Sequence, residues 1–410
     1  MSNFAFGTYR ITDQNPQHIQ ALRDAIESGL SMIDTSTNYM DGSAEIAVGR
    51  VLQEFDDATQ ARVEIVSKYG YIQGSNMLAH KEEAFEEVVE FDANCFHSIA
   101  PSFMQDQLTK SLKRLQRERL DCYLIHNPEY YLLDALNKNA DKDSTLDAMY
   151  NRLYEAFVGL EKEVQKGRIT SYGVSSNSFA KKPNDPEFLP YEDLITLADK
   201  ASEAVGNDTH NFTTIQLPLN ILEQEGLKCA AWAKANGLRV LANRPLNAQK
   251  DTKMYRLAEY EESASYYAYL NEILDVCDNE QLKPLYNLFE ELDVNRHKFG
   301  WIGDFDTFLY AQILPHIRKT LENLDEESLE ALLALIDIFF QEYRKMVAYE
   351  CGQRTKKELQ SDFEGCETTL QECAIAFLQA QQSVDYILVG MRKPSYVHEI
   401  LALNKIFRTC

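Results

Sequence analysis

The sequence predicts an α/β protein, a (β/α)8 TIM barrel with a long helical insertion between strand seven and the helix that precedes strand eight. Short apolar runs rich in β-branched residues alternate with amphipathic stretches, which is the pattern of βα units around a parallel sheet. The 410 residues also exceed the roughly 250 residues of such a barrel, which leaves room for an insertion.

Eight apolar segments are predicted as the barrel strands. Runs that are apolar on both faces, such as the YLI before His126, belong in a sheet that is covered on both sides. In chain order, the predicted strands are residues 5–11, 30–35, 63–69, 120–126, 169–175, 213–217, 238–242 and 386–389.

Amphipathic segments between these strands are predicted as the helices that cover the barrel. Gly29 and Gly167 follow two of them at positions typical of a helix C-terminus, and Asn151 is expected to cap the start of another. The predicted helices are residues 16–28, 43–54, 102–117, 151–166, 191–204, 229–235, 370–381 and 394–405.

The gap between residues 242 and 386 predicts the insertion. It contains four further helical patterns, at residues 255–276, 282–292, 305–324 and 328–347. We therefore expect barrel strands 1–7 in residues 1–250, a helical insertion in residues 251–365, and the last barrel helix, strand eight and the C-terminal helix in residues 366–410. Because βα loops emerge on the catalytic face, the insertion is expected to lie over the mouth of the barrel. An oligomerisation module is the alternative.

Charge and composition exclude several classes of partner. Lys and Arg number 41 against 64 Asp and Glu, a formal charge of -23, which repels nucleic acid and anionic membranes. The first residues lack a signal-peptide pattern and no apolar run is long enough to span a membrane, so a cytoplasmic location is expected. The eight cysteines are expected to be reduced thiols. Cys95 and His97 could form only a fragment of a metal site, so no metal is expected.

Four polar side chains are predicted to meet at the carboxyl ends of the strands, where barrel proteins place their reactive groups. Asp34 ends strand two and Tyr39 follows in the next loop, within MIDTSTNYMDGSAE. Lys68 lies in IVSKYG at the end of strand three, and His126 lies in YLIHNPE at the end of strand four. Each residue alone has a structural explanation, as a cap, a solvated charge or a core hydrogen-bonding group. The combination indicates catalysis.

The chemistry of this group is that of carbonyl reduction. A phenol has a pKa of about 10, which a nearby ammonium lowers by stabilising the phenolate. Asp34 can hold Lys68 charged and in place through a charge-assisted hydrogen bond. His126 can donate a hydrogen bond to a carbonyl oxygen and polarise it toward hydride attack. Tyr39 is therefore the predicted proton donor.

The segment IDTSTNYMDGSAEIAVGRVL resembles the signature of the aldo/keto reductase family, in which an Asp–Thr pair precedes a Tyr, a Gly and then Ser-x-Glu-x-x-x-Gly. The segments VSKYG, YLIHNP, GRITSYGVSSNSF, IQLPLN, LANRPLN and ILVGMRKPSYVHEIL follow that family in order. The resemblance covers roughly residues 4–246 and 370–402. It implies that Asp34, Tyr39, Lys68 and His126 form the family's catalytic tetrad, acting on a small-molecule carbonyl substrate.

The resemblance also implies an NADP cofactor, with NAD as the alternative. Ser176 and Asn177 match the pair that binds the nicotinamide carboxamide, although the doubled serine leaves that register open by one residue. Residues 390–396 match the loop that binds the pyrophosphate and adenosine. The positions that match the cofactor site are Gly7, Thr8, Tyr9, Ser176, Asn177, Gln216, Asn243, Arg244, Pro245, Leu246, Gly390, Met391, Arg392, Lys393 and Tyr396.

Two departures from the family pattern fall in this cofactor site. Asn243 and Arg244 stand where an aromatic residue commonly lies under the nicotinamide, and Tyr396 stands where Arg or Gln often lies beside the adenine. Two functions therefore remain open. The first is NAD(P)H-dependent reduction of an aldehyde or ketone, and the second is a nucleotide-binding regulatory or redox-sensing subunit with slow turnover. The unsubstituted tetrad favours the first.

Overall fold

The computed structural model describes residues 3–251, 253–322 and 326–406. Two compact units divide the chain, Met1–Pro245 with Ile375–Cys410 and Leu246–Ala374. The strands are β1 (Asn3–Gly7), β2 (Met32–Asp34), β3 (Glu64–Tyr69), β4 (Tyr71–Ile72), β5 (Val89–Asp92), β6 (Cys95–His97), β7 (Leu120–His126), β8 (Ile169–Ser175), β9 (Phe212–Pro218), β10 (Arg239–Asn243), β11 (Asn247–Lys250), β12 (Lys253–Arg256) and β13 (Tyr386–Val389).

The helices lie between these strands and after the last of them. They are α1 (Pro16–Glu27), α2 (Ser43–Leu52), α3 (Asp57–Arg62), α4 (Ser75–Glu82), α5 (Pro101–Leu115), α6 (Tyr130–Asn137), α7 (Lys142–Gln165), α8 (Leu194–Val205), α9 (Gly226–Ala235), α10 (Tyr266–Cys277), α11 (Lys283–Asn295), α12 (Ile302–Phe308), α13 (Leu314–Leu321), α14 (Glu326–Glu358), α15 (Leu370–Gln379) and α16 (Pro394–Ile406).

Eight parallel strands of the first unit close into a barrel in the order β1, β13, β10, β9, β8, β7, β3 and β2, which confirms the predicted fold. The strand register brings residues at the carboxyl ends side by side. Gly7 lies beside Asp34, and Ser175 lies between His126 and Gln216. Apolar side chains form a core across the strands, which includes Ala5, Met32, Val66, Cys122, Leu124, Leu241 and Leu388.

The predicted strands are confirmed, three of them to the residue (β7, β8 and β13). Strand one was expected at residues 5–11, but β1 ends at Gly7. The reason lies in Thr8, whose backbone N–H and side-chain hydroxyl both donate to the carbonyl oxygen of Asp34 at 3.0 Å. The chain then leaves the strand direction in a turn that begins at Thr8, whose carbonyl oxygen accepts a hydrogen bond from the Ile11 N–H at 2.8 Å.

The expected start of the fourth covering helix was wrong. The helix α7 begins at Lys142, and Asp141 caps it by accepting a hydrogen bond from the Ser144 N–H at 2.9 Å. Asn151 therefore lies inside the helix and caps nothing. Gly29 and Gly167 do follow α1 and α7 with positive φ angles of 90° and 69°, as predicted.

A small sheet that the sequence did not predict lies between β3 and α5. Strands β4, β5 and β6 pair antiparallel in the order β4, β6, β5. The pairing places Tyr71 beside His97. This sheet therefore holds an aromatic pair, Tyr71 and His97, in the segment that follows Lys68.

The second unit has its own apolar core and is largely helical. The predicted helix at residues 255–276 was wrong in its first half, because residues 255 and 256 belong to β12, which pairs with β11, and the helix α10 begins only at Tyr266. The predicted helix at 305–324 is interrupted by a π turn at Leu309–Ile313 and resumes as α13, which has Pro315 in its first turn. The core includes Tyr266, Ile273, Leu285, Phe289, Phe305, Phe339 and Tyr343.

Two cysteines of the second unit are not reduced thiols, contrary to expectation. Cys366 and Cys373 form a disulfide, with Cα atoms 6.1 Å apart. Cys366 and Cys373 are seven residues apart, and the turn into α15 brings their side chains together. The sequence did not indicate this pair, because the two cysteines do not form a C-x-x-C pattern. Among the described residues, none of the helices combines the length and the apolar character that a membrane span requires.

Candidate active site

The structure brings the four predicted catalytic side chains together at the carboxyl ends of the barrel strands. Lys68 Nζ lies 2.8 Å from Asp34 Oδ2 and 3.2 Å from the Tyr39 hydroxyl oxygen. The Lys68 ammonium also donates to the carbonyl oxygen of Thr35 at 2.7 Å. The His126 and Tyr39 ring centres are 5.9 Å apart, in an edge-on arrangement. Lys68 is 0% exposed, so these contacts are formed away from water.

The loop that carries Tyr39 is held in an unusual backbone conformation. Met40 and Asp41 have φ angles of 49° and 54°, a left-handed region that such residues rarely adopt. The Asp41 carboxylate accepts hydrogen bonds from the Ser75 N–H at 3.0 Å and from the Ser75 hydroxyl at 2.8 Å. These contacts fix the turn directly after Tyr39 and so restrict the position of its ring.

Burial sets the protonation of the group. It raises the pKa of Tyr39 well above the usual value, and the Asp34 carboxylate adds to this rise. The net shift of the Tyr39 pKa is therefore upward, whereas the sequence analysis expected Lys68 to lower this pKa. Burial lowers the pKa of Lys68, against the opposing effect of Asp34. Burial, followed by Lys68, holds the pKa of His126 well below its usual value, which leaves the ring neutral at pH 7.

Gln216, which the sequence placed in the cofactor site, contacts the catalytic group directly. Its Nε2 donates to Asp34 Oδ1 at 2.7 Å, and its Oε1 accepts from the Ser175 hydroxyl at 3.1 Å. Both oxygens of Asp34 are therefore held, one by Lys68 and one by Gln216. The sequence signal for this role was the position of Gln216 near the end of β9, level with Ser175.

A second set of contacts surrounds His126, and the sequence did not predict it. The Ser36 Oγ lies 3.2 Å from His126 Nδ1. The Nε2 of His97 donates to the carbonyl oxygen of His126 at 2.7 Å. The centres of the Tyr71 and His126 rings are 4.8 Å apart. Next to this group, the centres of the Tyr9 and Tyr39 rings are 5.2 Å apart. The histidine ring is thus held from its backbone, its Nδ1 atom and one ring edge.

The predicted carboxamide-binding residues lie in the loop after β8. Ser176 is buried, and its Oγ accepts a hydrogen bond from the Ser178 N–H at 3.1 Å. Asn177 is exposed, and its backbone N–H donates to Oε1 of the buried Glu129 at 2.8 Å. Both serines at the doubled position contact Gln216: the Ser175 hydroxyl donates to its Oε1 at 3.1 Å, and the Ser176 backbone N–H donates to its carbonyl oxygen at 3.0 Å.

The predicted residues after β10 are divided between the two units. Asn243 Nδ2 lies 3.5 Å from Gln216 Oε1, while its own Oδ1 is buried and has no hydrogen-bond partner within the described chain. Arg244 has a φ angle of 54° and donates to Glu223 Oε1 at 2.8 Å. Pro245 is the last residue of the barrel unit before the insertion, and Leu246 is the first residue of the second unit.

The remaining predicted cofactor residues lie at the ends of β1 and β13. Gly7, Thr8 and Tyr9 follow one another, with Thr8 buried and Tyr9 64% exposed. Gly390 is exposed and Met391 is buried in the turn that leads to α16. Arg392 is close enough to His18 to lower the pKa of that imidazole, after the larger effect of burial. The Lys393 Nζ lies 5.9 Å from the centre of the Tyr396 ring.

Metal ligands do not cluster in the part of the chain that the structure describes: no group of three His, Cys, Asp or Glu side chains is placed to hold an ion. Cys95 is buried and free. His97 is engaged with the backbone of His126, and burial lowers its pKa to about 4. The arrangement suits an acid at Tyr39 and a neutral hydrogen-bond donor at His126.

Comparison with known proteins gives a family match across nearly the whole chain and matches to individual relatives over part of it. The model of the Aldo/keto reductase family matches residues 3–408. Methylglyoxal reductase YeaE of Escherichia coli (strain K12) is 27% identical over 168 residues, which cover 41% of this chain and 42% of that protein. Aldo-keto reductase YhdN of Bacillus subtilis (strain 168) is 23% identical over 231 residues, which cover 55% and 52%. The chain thus spans about half the length of these curated relatives.

Among solved structures, the aldo-keto reductase AKR11C1 from Bacillus halodurans, in its holo form, aligns with a TM-score of 0.49 and 14% sequence identity. The alignment covers 98% of this chain and 86% of that one.

Proposed function

Because the chain belongs to the aldo/keto reductase family, we propose that it is an NAD(P)H-dependent oxidoreductase that reduces an aldehyde or ketone to an alcohol, with Tyr39 as the general acid. The observation that carries this proposal is the buried series of contacts from Asp34 through Lys68 to the Tyr39 hydroxyl. An ion pair at the protein surface would remain in contact with water. Proton transfer in catalysis is instead favoured in a site from which water is excluded, and Lys68 and its contacts are buried.

Tyr39 delivers the proton. It holds this proton at neutral pH because burial raises its pKa. As the carbonyl carbon accepts a hydride, negative charge develops on the carbonyl oxygen, which takes the proton from the phenol. The phenolate that forms lies 3.2 Å from the Lys68 ammonium, which stabilises it. Asp34 keeps Lys68 charged through the 2.8 Å ion pair, against the effect of burial.

His126 orients the substrate. The ring is neutral, because burial and the Lys68 charge lower its pKa. A neutral imidazole carries one N–H, which can donate to the carbonyl oxygen without competing with Tyr39 as an acid. The donor in turn polarises the carbonyl group and favours attack at its carbon.

The residues of the barrel unit fit a nicotinamide dinucleotide, which supplies the hydride when bound. The buried Oδ1 of Asn243, without a partner among the described residues, is a suitable acceptor for a carboxamide N–H. The N-terminus of α16 follows Arg392 and Lys393, a combination that suits phosphate groups. We assign the nicotinamide to Ser176, Asn177 and Asn243, and the phosphates to the turn from Gly390 to Lys393.

Replacement of Tyr39 by Phe tests this proposal. In the Tyr39→Phe protein, the rate at which aldehydes oxidise bound NADPH, measured by stopped flow, should fall by about 10²-fold or more. The reason is that positioned acid catalysis contributes about 10²–10⁴-fold to such a rate. The dissociation constant for NADPH should change little, because the lost hydroxyl acts on the proton. Tyr69→Phe is the matched control, since Tyr69 is a buried tyrosine on β3 whose hydroxyl donates to the backbone carbonyl oxygen of Ile99 at 3.4 Å.

Retention of more than a tenth of the wild-type turnover by the Tyr39→Phe protein would contradict the assignment of the proton donor. Tight NADPH binding by the wild-type protein without oxidation by any aldehyde or ketone would instead favour the second function, a nucleotide-binding regulatory subunit.

A further inference from the structure

Two neighbouring loops carry the groups that are proposed to meet the substrate and the cofactor. His126 ends β7 and orients the carbonyl group, whereas Ser176 and Asn177 follow β8 and contact the nicotinamide. Strands β7 and β8 pair in parallel with His126 beside Ser175, so the two loops begin side by side. Hydride transfer requires the nicotinamide and the carbonyl carbon to be held about 3–3.5 Å apart. The relative position of these two loops therefore bears directly on the reaction.

Glu129 links the two loops. It follows His126 by three residues and lies directly before α6. Its carbonyl oxygen accepts a hydrogen bond from the Leu133 N–H at 2.9 Å, which ties its backbone to the first turn of that helix. Its side chain reaches the other loop, where Oε1 accepts from the Asn177 N–H at 2.8 Å. The loop after β8 is thus attached to the segment that carries His126.

Two further hydrogen bonds hold the loop of residues 176–178. The Ser176 N–H donates to the carbonyl oxygen of Gln216 at 3.0 Å, and the Ser178 N–H donates to Ser176 Oγ at 3.1 Å. The first bond ties the loop to β9, and the second lies within the loop itself. Asn177 is exposed, although its N–H is held by a buried carboxyl group. Its side chain can therefore meet a ligand from a backbone that is fixed from the protein interior.

Packing alone does not explain a carboxyl group at this position. Glu129 is 2% exposed, and its Oε2 is buried without a hydrogen-bond partner in the described parts of the chain. Burial raises the pKa of Glu129 to about 7, against the opposing effect of donors in residues 176–178. A buried polar oxygen without a partner destabilises a fold, and an apolar side chain of the same length would avoid that cost. What the carboxyl group supplies, and an apolar side chain would not, is an acceptor for the Asn177 N–H.

We propose that Glu129 is a positioning residue, which holds the loop of residues 176–178 through the Asn177 N–H and so places the nicotinamide of a bound cofactor relative to His126. The inference rests on the proposed reductase function for the identity of the ligand. The hydrogen bond itself belongs to the cofactor-free protein, so it can be measured without turnover.

Replacement of Glu129 by Met tests the hydrogen bond. Methionine has a side chain of similar length but offers no oxygen, so the Asn177 N–H loses its acceptor. In the cofactor-free protein, hydrogen exchange at the Asn177 amide, followed by NMR, should become about 10-fold faster, which is within the range for the loss of a hydrogen bond. Glu129→Gln keeps an acceptor, so its exchange rate should stay within about 3-fold of the wild-type rate. A wild-type Asn177 amide that exchanges as fast as an unprotected loop amide would overturn the proposal, whichever variants fold.

The functional consequence is measured with NADPH and with 2′-phospho-ADP-ribose, which has the adenosine and phosphate groups of NADPH but lacks the nicotinamide. In Glu129→Met the dissociation constant for NADPH should rise by about 10-fold, because the nicotinamide loses contacts to a displaced loop. The constant for 2′-phospho-ADP-ribose should stay within about 2-fold of the wild-type value, since its phosphates are assigned to the distant turn from Gly390 to Lys393. Glu129→Gln should bind both ligands as the wild type does. A residue that served only packing would weaken both ligands equally.

Glu161→Met is the matched control. Glu161 is also a buried residue, and its Oε1 accepts from the Asn211 N–H at 2.7 Å. Asn211 precedes β9 and so lies at the amino end of a barrel strand, away from the carboxyl ends that carry the site. This substitution should leave the ratio of the two dissociation constants unchanged.

An Asn177 amide that exchanges at the wild-type rate in Glu129→Met would overturn the proposal, as would an equal loss of affinity for the two ligands or an unchanged affinity for NADPH. Absence of NADPH binding by the wild-type protein would overturn both the positioning role and the proposed function. The expected exchange rates and dissociation constants in a protein that reduces no carbonyl compound would leave the positioning role standing and reject the proposed reductase function.

Discussion

Glu129 is a buried carboxyl group, and its replacement by Gln should stabilise the barrel unit at pH 8 more than at pH 5. The side chain is 2% exposed. Its Oε1 accepts from the Asn177 N–H at 2.8 Å, while Oε2 has no hydrogen-bond partner among the described residues. Burial raises the pKa of Glu129 from 4.5 to about 7, so the fold favours the protonated acid.

The sign follows from proton linkage. Between pH 4.5 and about 7 the folded protein binds the Glu129 proton more tightly than the unfolded chain does. The contribution of Glu129 to the free energy of unfolding therefore falls as the pH rises through this range and is smallest above pH 7. A difference of about 2.5 pKa units corresponds to about 3 kcal/mol in total, of which about 2.5 kcal/mol develops between pH 5 and pH 8. The amide in Glu129→Gln does not titrate, so this part of the pH dependence should vanish in the variant.

The measurement is the free energy of unfolding in urea at pH 5 and pH 8. Trp232 lies in the barrel unit and Trp301 in the second unit, and they are the two tryptophans of the chain. In a Trp301→Phe background, the fluorescence of Trp232 therefore reports on the barrel unit alone. Any constant cost of burying the new NH2 group cancels in the difference between the two pH values.

The matched control is Glu155→Gln, at an exposed position on α7. It should leave the pH dependence unchanged. The reasoning would be refuted if the Glu129→Gln and Glu155→Gln proteins lost the same free energy between pH 5 and pH 8.

Three further predictions concern the cofactor, the pH profile and the insertion. NADPH should bind more tightly than NADH, because Arg392 and Lys393 offer positive charges to the 2′-phosphate of NADPH. Equal dissociation constants for the two cofactors at physiological salt, or an unchanged ratio of these constants in the Arg392→Ala protein, would contradict this preference. In the Glu129→Gln protein, kcat should stay constant from pH 8 to pH 6, because the pKa of His126 lies well below its usual value; a fall with a midpoint near 6.5 would contradict it. We propose that residues 251–365 influence substrate selection, so a folded deletion variant should change its relative kcat/KM values across a panel of aldehydes, and an unchanged profile would favour an oligomerisation module.

The barrel could be predicted from the sequence because its signals are local. Strand β7 contains the buried apolar run CYLI, β8 is buried from Tyr172 to Ser175, and a glycine with positive φ separates α7 from β8. The sheet of β4, β5 and β6 escaped prediction because its strands are two to four residues long and carry polar residues. Such short strands are stabilised by their pairing with one another, which no periodicity within a single segment reveals.

In the candidate site as well, the residues that follow from a local sequence rule could be predicted, and the contacts that depend on the assembled fold could not. The rule that reactive groups gather at the carboxyl ends of barrel strands was sufficient to select Asp34, Lys68 and His126. It could not assign Gln216 to Asp34, or Ser36 to His126, because those contacts join residues 182 and 90 positions apart in the chain. They depend on the register of the closed barrel and on a strained loop, two features that exist only once the fold has formed. The groups that set the orientation and protonation of a catalytic residue are therefore harder to find in a sequence than the catalytic residue itself.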